Sequence, residues 1–239
     1  MANIMVIGAS RGLGRAFVEG LASDGDNIFA VSRTKPEGIN VPPDAELHWI
    51  EADMAKPLKA AQKIAEAAPQ KVDTLIYNLG VWEEYAFEDN YQFEQDDDAS
   101  IIEMISINIT STILLLKHIM PKVLNADKPQ VIITGSTSGL RQSGRPEVTF
   151  GASKHALTGI ADALREGYRK RNLAVTCLQL GDLNTDDALD VAVSEAAKKG
   201  EGRLIPVHDV VAVVRTLLQL SPSSFVRELT MPAILDDRF

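Results

Sequence analysis

The feature that most constrains this chain is a regular alternation. Short apolar runs give way to longer stretches with helical spacing, and then return. Ile4–Ile7 is apolar and stops at Gly8. Leu13–Ala22 then places Leu13, Phe17, Val18 and Leu21 on one helical face. Ile28–Ser32 and Leu47–Ile50 follow as strands, then Leu58–Ala68 as an alanine-rich helix and Thr74–Tyr77 as a fourth strand. Ile101–Leu124 reads as a long helix that Pro121 kinks or shortens. Val131–Thr134, a helix over Ala152–Arg171, the strand Ala174–Leu180, a helix over Val207–Leu220 and a last strand within Val226–Ile234 complete the series. Strand–helix alternation of this kind implies a parallel sheet with helices on both faces. The strands are apolar almost throughout, as burial on both faces requires.

The expected fold is therefore α/β, a doubly wound, Rossmann-type parallel sheet. The pattern does not restart midway and shows no linker or repeat, so residues 1–239 are expected to form a single domain. Two stretches break the rhythm, residues 83–98 and 182–203. Both follow strand ends, where open α/β sheets bind ligands. Residues 83–98 hold eight acids and no base, which accounts for nearly all of the net charge of −9. That run reads either as a solvated surface loop or as part of the substrate side.

The turn after the first strand is Gly8-Ala9-Ser10-Arg11-Gly12-Leu13-Gly14. Glycines let backbone approach a pyrophosphate, and a helix N-terminus offers free N–H groups and the positive end of its dipole. The G-x-x-x-G-x-G spacing differs from the G-x-G-x-x-G dinucleotide fingerprint, and no Gly-Lys-Ser/Thr follows to make a P-loop. At the end of the second strand stand Ser32 and Arg33, with no acid. An acid there would bind a ribose 2′-OH, whereas arginine accommodates a 2′-phosphate. With Arg11 nearby in the turn, the expected cofactor is NADP.

In these motifs the chain resembles the short-chain dehydrogenase/reductase family, over essentially its whole length. Asp53-Met54 matches that family's acidic pair that contacts adenine, and Asn78-Leu79-Gly80 its N-A-G segment, with Leu for Ala. Gly181 and Thr185 match the P-G-x-x-x-T segment, with Leu180 for Pro. The resemblance implies cofactor contacts at Gly8, Ser10, Arg11, Gly12, Leu13, Gly14, Ser32, Arg33, Asp53, Met54, Asn78, Leu79, Gly80, Lys154, Gly181, Leu183 and Thr185. It implies catalytic roles for Asn108, Ser136 and Lys154. The remaining member of the family's set, the Tyr of Y-x-x-x-K, falls on Phe150 in Phe150-Gly151-Ala152-Ser153-Lys154.

Phenylalanine keeps the ring and removes the proton that a carbonyl oxygen would receive. Losing a general acid typically costs about 10²–10⁴-fold in rate. Three readings stand side by side. Phe150 is an introduced Tyr→Phe change in an ordinary reductase. Or the chain uses another proton source, such as Tyr85, Ser136 or water near Lys154. Or it binds NADP without redox turnover, as a sensor, scaffold or non-redox enzyme.

The expected substrate is a small-molecule carbonyl or alcohol. Trp82, Tyr85, Phe87, Tyr91 and Phe93 either line its pocket or cover a sheet edge or intersubunit surface. The resemblance implies a homodimer or homotetramer, and the apolar circumference of Ile101–Leu124 agrees with that expectation. Neither a nucleic acid nor a membrane partner is expected, given the acidic balance. No metal site is expected, since Cys177 stands alone and the four histidines are scattered. The opening residues lack a basic segment and a long apolar run, so a cytoplasmic location is expected.

Overall fold

The computed structural model describes residues 1–238. Its centre is a seven-stranded parallel sheet in the order β3-β2-β1-β4-β5-β6-β9. The strands are β1 Asn3–Ile7, β2 Asn27–Ser32, β3 Glu46–Glu51, β4 Thr74–Tyr77, β5 Gln130–Thr134, β6 Ala174–Leu180 and β9 Glu228–Met231. A separate two-stranded ladder joins β7 (Leu183–Asn184) to β8 (Ile205–Pro206). The order reverses direction between β1 and β4, which creates the crevice where such sheets bind ligands.

The apolar strands serve two cores at once. Met5 and Ile7 of β1 face one way, with Leu75 and Tyr77 of β4 and Ile133 of β5, toward α2 (Pro57–Ala67), α4 (Ser111–Val123) and α5 (Val148–Gly167). Ile4 and Val6 face the other, toward α1 (Gly12–Leu21) and α7 (Val207–Gln219). Leu13, Phe17, Val18 and Leu21, the predicted face of α1, are all buried there. Period-two alternation along a strand distributes one apolar run between two helical layers. A short α6 (Val193–Ala196) lies within the 182–203 stretch.

Three expectations need correction. The helix predicted from Ile101 starts earlier, with α3 at Asp98–Ile105, because Asp97 caps it by accepting the amide of Ser100 at 2.9 Å. The last acids of the 83–98 run therefore belong to a helix start rather than to a loop. The interruption also falls elsewhere than at Pro121. A π turn over Ser106–Thr110 separates α3 from α4, whereas α4 continues through Pro121 to Val123. Pro121 has no N–H to bond the carbonyl of residue 117, yet the helix continues through it for two more residues. The helix predicted over Ala152–Arg171 runs instead over Val148–Gly167, with a 3₁₀ turn at Arg169–Arg171. Position 150 consequently sits in the first turn of α5.

The stretch Asp98–Val123 spans 26 residues and contains an 18-residue window of mean hydropathy 1.7, long and apolar enough by composition to cross a membrane. Its face formed by Leu115, Leu116, Ile119, Met120 and Val123 is buried in the core of the sheet. Ile102 and Ile113 on its outer side are exposed.

Candidate active site

The glycine turn is closed by backbone packing. The amides of Gly8 and Ala9 both donate to Val31 O, at 2.9 and 3.0 Å. Gly8 has a φ of +83°, and a side chain there would overlap the carbonyl of Asn78. A Cβ at Gly14 would overlap the carbonyl oxygen of Gly8. These two approaches fix the turn against β1 and set α1 to start at its rim. No side chain caps that helix start among the described residues, and Arg11 before it is extended and exposed. Unsatisfied N–H groups at a helix N-terminus suit an anion.

The other predicted cofactor residues converge on the same edge of the sheet. The bonds to Val31 place the turn beside the end of β2, two residues before the exposed Arg33. The Ser32 hydroxyl donates to Thr34 O at 2.7 Å. Ala52 N donates to Ser32 O, which brings Asp53 and the buried Met54 alongside. The Asp53 carboxylate accepts the amide of Ala55 at 3.2 Å. Asn78 N donates to Ile7 O at 3.0 Å, so Asn78, Leu79 and Gly80 continue past the end of β4. Beyond β6, Gly181 N donates to Met231 O. The segment then passes Leu183 and brings Thr185 against Gly12, where a Cβ would meet the threonine Cβ at 3.1 Å. A cavity of about 210 Å³ lies between this segment and α1, lined by Ser10, Arg11, Gly12, Arg15 and Thr185. A larger cavity of about 670 Å³ opens elsewhere, between α5's C-terminal end and residues 221–227, and contains none of the predicted site residues.

Three of the four predicted catalytic positions, Asn108, Phe150 and Lys154, come together next to Gly80. Asn108, in the π turn, accepts the amide of Val81 at 2.9 Å, and its Nδ2 donates to Val81 O at 2.7 Å and to Ser153 Oγ at 3.0 Å. Ser153 Oγ in turn donates to Phe150 O at 2.8 Å. Lys154 is buried, and its Nζ donates to Thr134 O at 3.3 Å. A Cβ on Gly80 would stand 2.9 Å from that Nζ, so the glycine makes room for the ammonium. Burial pushes the Lys154 pKa down to about 8, because desolvation penalises the charged form. Ser136 accepts the amide of Ser138 at 3.1 Å and caps the 3₁₀ turn Thr137–Gly139.

Phe150 is 6% exposed. Phe87 and Trp82 cover it edge-on, with ring centroids at 5.3 and 6.4 Å. Tyr85, considered as another proton source, has its ring half exposed, and it is Phe87 and Trp82 that pack on Phe150.

Sequence reasoning passed over several residues. Gln179, fully buried in β6, accepts the amide of Ser136 at 3.1 Å, and a Cβ at Gly135 would overlap its Oε1. Arg145 reaches Asp182 at 2.9 Å and lies over the Phe87 ring at 5.6 Å. Glu83 and Glu147 are buried at the start of α5. Only Gly135, a glycine directly after a strand, signals such packing in the sequence. The other contacts join residues dozens of positions apart.

The family model for short chain dehydrogenase matches residues 2–195. A protein of Sinorhizobium fredii named as an uncharacterized short-chain type dehydrogenase/reductase is 29% identical over 219 residues, covering 90% of this chain and 85% of that one. The human inactive hydroxysteroid dehydrogenase-like protein 1 is 29% identical over 182 residues, covering 73% of this chain. The matched part is about half of that human protein, 53% of its length. Among solved structures, an alcohol dehydrogenase of Thermococcus sibiricus complexed with 5-hydroxy-NADP is similar at a TM-score of 0.76. It is 19% identical, with 98% of this chain and 97% of that one covered. The NADH-dependent reductase A1-R' complexed with NAD is similar at a TM-score of 0.76 and 20% identity, with 97% and 95% covered.

Proposed function

This chain belongs to the short-chain dehydrogenase family of oxidoreductases, and from that premise we propose that it binds NADP(H) and interconverts a carbonyl and an alcohol on a small molecule. The observation that carries the reading is Lys154. It is a buried ammonium held between Thr134 O, Gly80 and the Phe150 ring, beside the Asn108–Ser153 relay.

The residues present fit the cofactor. The Gly8–Gly14 cradle has no room for a Cβ at Gly8 or Gly14 and opens on an uncapped helix start, which suits a pyrophosphate. Arg11 and Arg33, with no acid at the end of β2, suit a 2′-phosphate. Asp53, Asn78 and Thr185 lie just past the ends of β3, β4 and β7, where they would hold the adenosine and nicotinamide portions. When bound, the dinucleotide supplies or accepts the hydride.

The chain's own residues manage the proton and the oxygen. Ser136, its amide fixed by Gln179, offers a hydroxyl to a substrate oxygen. Asn108, bonded on both sides to Val81, holds the Ser153 hydroxyl, which is tied to the Phe150 carbonyl. Phe150 supplies no proton. Lys154, poised near neutral pH, or a water it orients, takes that part at reduced efficiency. Residues 1–239 act as one dinucleotide-binding domain. A homo-oligomer formed through the outer side of Asp98–Val123 would cover Ile102 and Ile113, which light scattering would detect.

A second reading is that the site binds the dinucleotide without turnover. The observation favouring it is the Phe150 ring itself, hydroxyl-free and covered by Phe87 and Trp82. NADPH titration together with a carbonyl panel separates the two. Slow NADPH oxidation with at least one carbonyl compound supports the oxidoreductase. Tight NADPH binding with no turnover, in both the unsubstituted protein and Phe150→Tyr, supports the second.

A further inference from the structure

Two buried carboxylates clamp the loop after β4 onto the start of α5, and they do so reciprocally. Glu83, in the loop, accepts the amides of Thr149 and Phe150 in the first turn of α5, at 3.0 and 2.9 Å. Glu147, the residue before α5, accepts the amide of Phe87 in the loop at 2.9 Å. Glu83 is 4% exposed and Glu147 is 3% exposed. The second oxygen of each is buried without a hydrogen-bond partner among the described residues. Burying a carboxylate with part of its hydrogen-bonding capacity unused is costly, and here it occurs twice around one contact. Phe87 itself has a φ of +71°. A bulky residue rarely adopts that conformation, and it persists where its surroundings over-determine it, commonly at functional sites.

The clamp sets three rings against one another. Phe87 meets Phe150 at 5.3 Å with an interplanar angle of 87°, and Trp82 meets Phe150 at 6.4 Å with 85°. Trp82 and Phe87 are 6.2 Å apart. Phe150 is the buried base of this group, while Trp82 and Phe87 remain 53% and 40% exposed. The cation over the Phe87 ring, Arg145, is already paired with Asp182 at 2.9 Å. The surrounding 83–98 segment is acidic, which disfavours an anion.

We propose that Glu83 and Glu147 are positioning residues that hold Trp82 and Phe87 as a preformed aromatic wall, and that this wall selects neutral carbonyl compounds with a flat aromatic body. The inference rests on the reading of Asn108, Ser136 and Lys154 as a carbonyl site. Preorganised rings present apolar area at little entropic cost, and aromatic partners gain edge and stacking contacts that aliphatic chains do not.

The test uses the full-length chain in a Trp49→Phe background, where Trp82 is the only remaining tryptophan of the two. Hydrogen exchange is followed at the amides of Thr149, Phe150 and Phe87, and 2-acetylnaphthalene binding is read from Trp82 quenching. Binding of 2-dodecanone is measured by competition. The expected result is slow exchange at all three amides. Glu83→Ala speeds it at Thr149 and Phe150, Glu147→Ala speeds it at Phe87, and the Gln variants retain protection. The naphthyl ketone binds roughly tenfold tighter than the aliphatic one, a difference of one or two ring contacts. Glu147→Ala erases that preference and Glu147→Gln keeps it. Fast exchange in the parent protein, the absence of a preference, or a preference that survives both alanine variants overturns the proposal. NADPH binding is followed in the same samples by the cofactor's own fluorescence. Its failure counts against the functional reading, while the ketone preference is read independently of it.

Discussion

The Lys154 ammonium lies 5.5 Å from the centroid of the Phe150 ring. In a site built on the Y-x-x-x-K pattern these two positions face each other four residues apart on one helix. Here one partner can still change its charge and the other cannot. That asymmetry governs how the pair answers a change of pH or a substitution at either position.

Lys154 should leave a signature in the pH dependence of stability. Its pKa is about 8 in the folded protein and 10.5 as the ordinary value, so the folded state binds fewer protons between these limits. Stability rises with pH wherever the unfolded state holds more protons. The destabilisation from burying the charge is therefore fully present below about pH 8 and is relieved as pH approaches 10.5. Lys154→Met should be more stable than the parent at pH 7, by about 3 kcal/mol. That advantage should shrink steadily through the same window in urea unfolding. A constant difference between the two proteins from pH 7 to 10.5 would contradict the assignment.

Arg33 should discriminate between the two dinucleotides. Arg33→Glu removes a guanidinium and places a repelling carboxylate at the end of β2. A charge-assisted hydrogen bond is worth about 1.5–3 kcal/mol, so the NADPH dissociation constant should rise roughly 10- to 100-fold. NADH binding should be unchanged or tighter. Fluorescence titration with both cofactors decides this, and an equal loss for both would show that Arg33 does not read the 2′-phosphate.

Gly8 should tolerate no side chain. At φ +83° the left-handed penalty alone is about 1–2 kcal/mol, before the overlap with the Asn78 carbonyl is counted. Gly8→Ala should lower the melting temperature by roughly 4 °C or more and remove measurable dinucleotide binding. Calorimetry and NADPH titration check the two effects separately. Unchanged cofactor binding would place the pyrophosphate elsewhere.

Much of this architecture was legible in the sequence because it depends on local pattern. Thr74–Tyr77 and Ala174–Leu180 are strands with the predicted bounds, since each is a continuous run with clear breaks at both ends. The start of α5 was misplaced for a physical reason. The helix begins at Val148, ahead of the predicted Ala152, where Glu83, more than sixty positions away, satisfies the amides of Thr149 and Phe150. The acidic 83–98 run shows the same limit. Composition presents eight like charges as solvated, but Glu83 is buried at a helix N-terminus and Asp97 caps another helix. The π turn at Asn108 has no local signal either. The asparagine's exchange of bonds with Val81 becomes visible only once the loop after β4 and the π turn are placed side by side.

In the proposed function, NADP(H)-dependent turnover is limited by the ring at position 150. The most direct measurement is single-turnover oxidation of NADPH with an aromatic ketone by the parent protein and by Phe150→Tyr. If the site is otherwise competent, restoring the hydroxyl should accelerate the step by roughly 10²–10⁴-fold, with the NADPH dissociation constant little changed. Tight NADPH binding accompanied by equal, negligible oxidation in both proteins would contradict the claim.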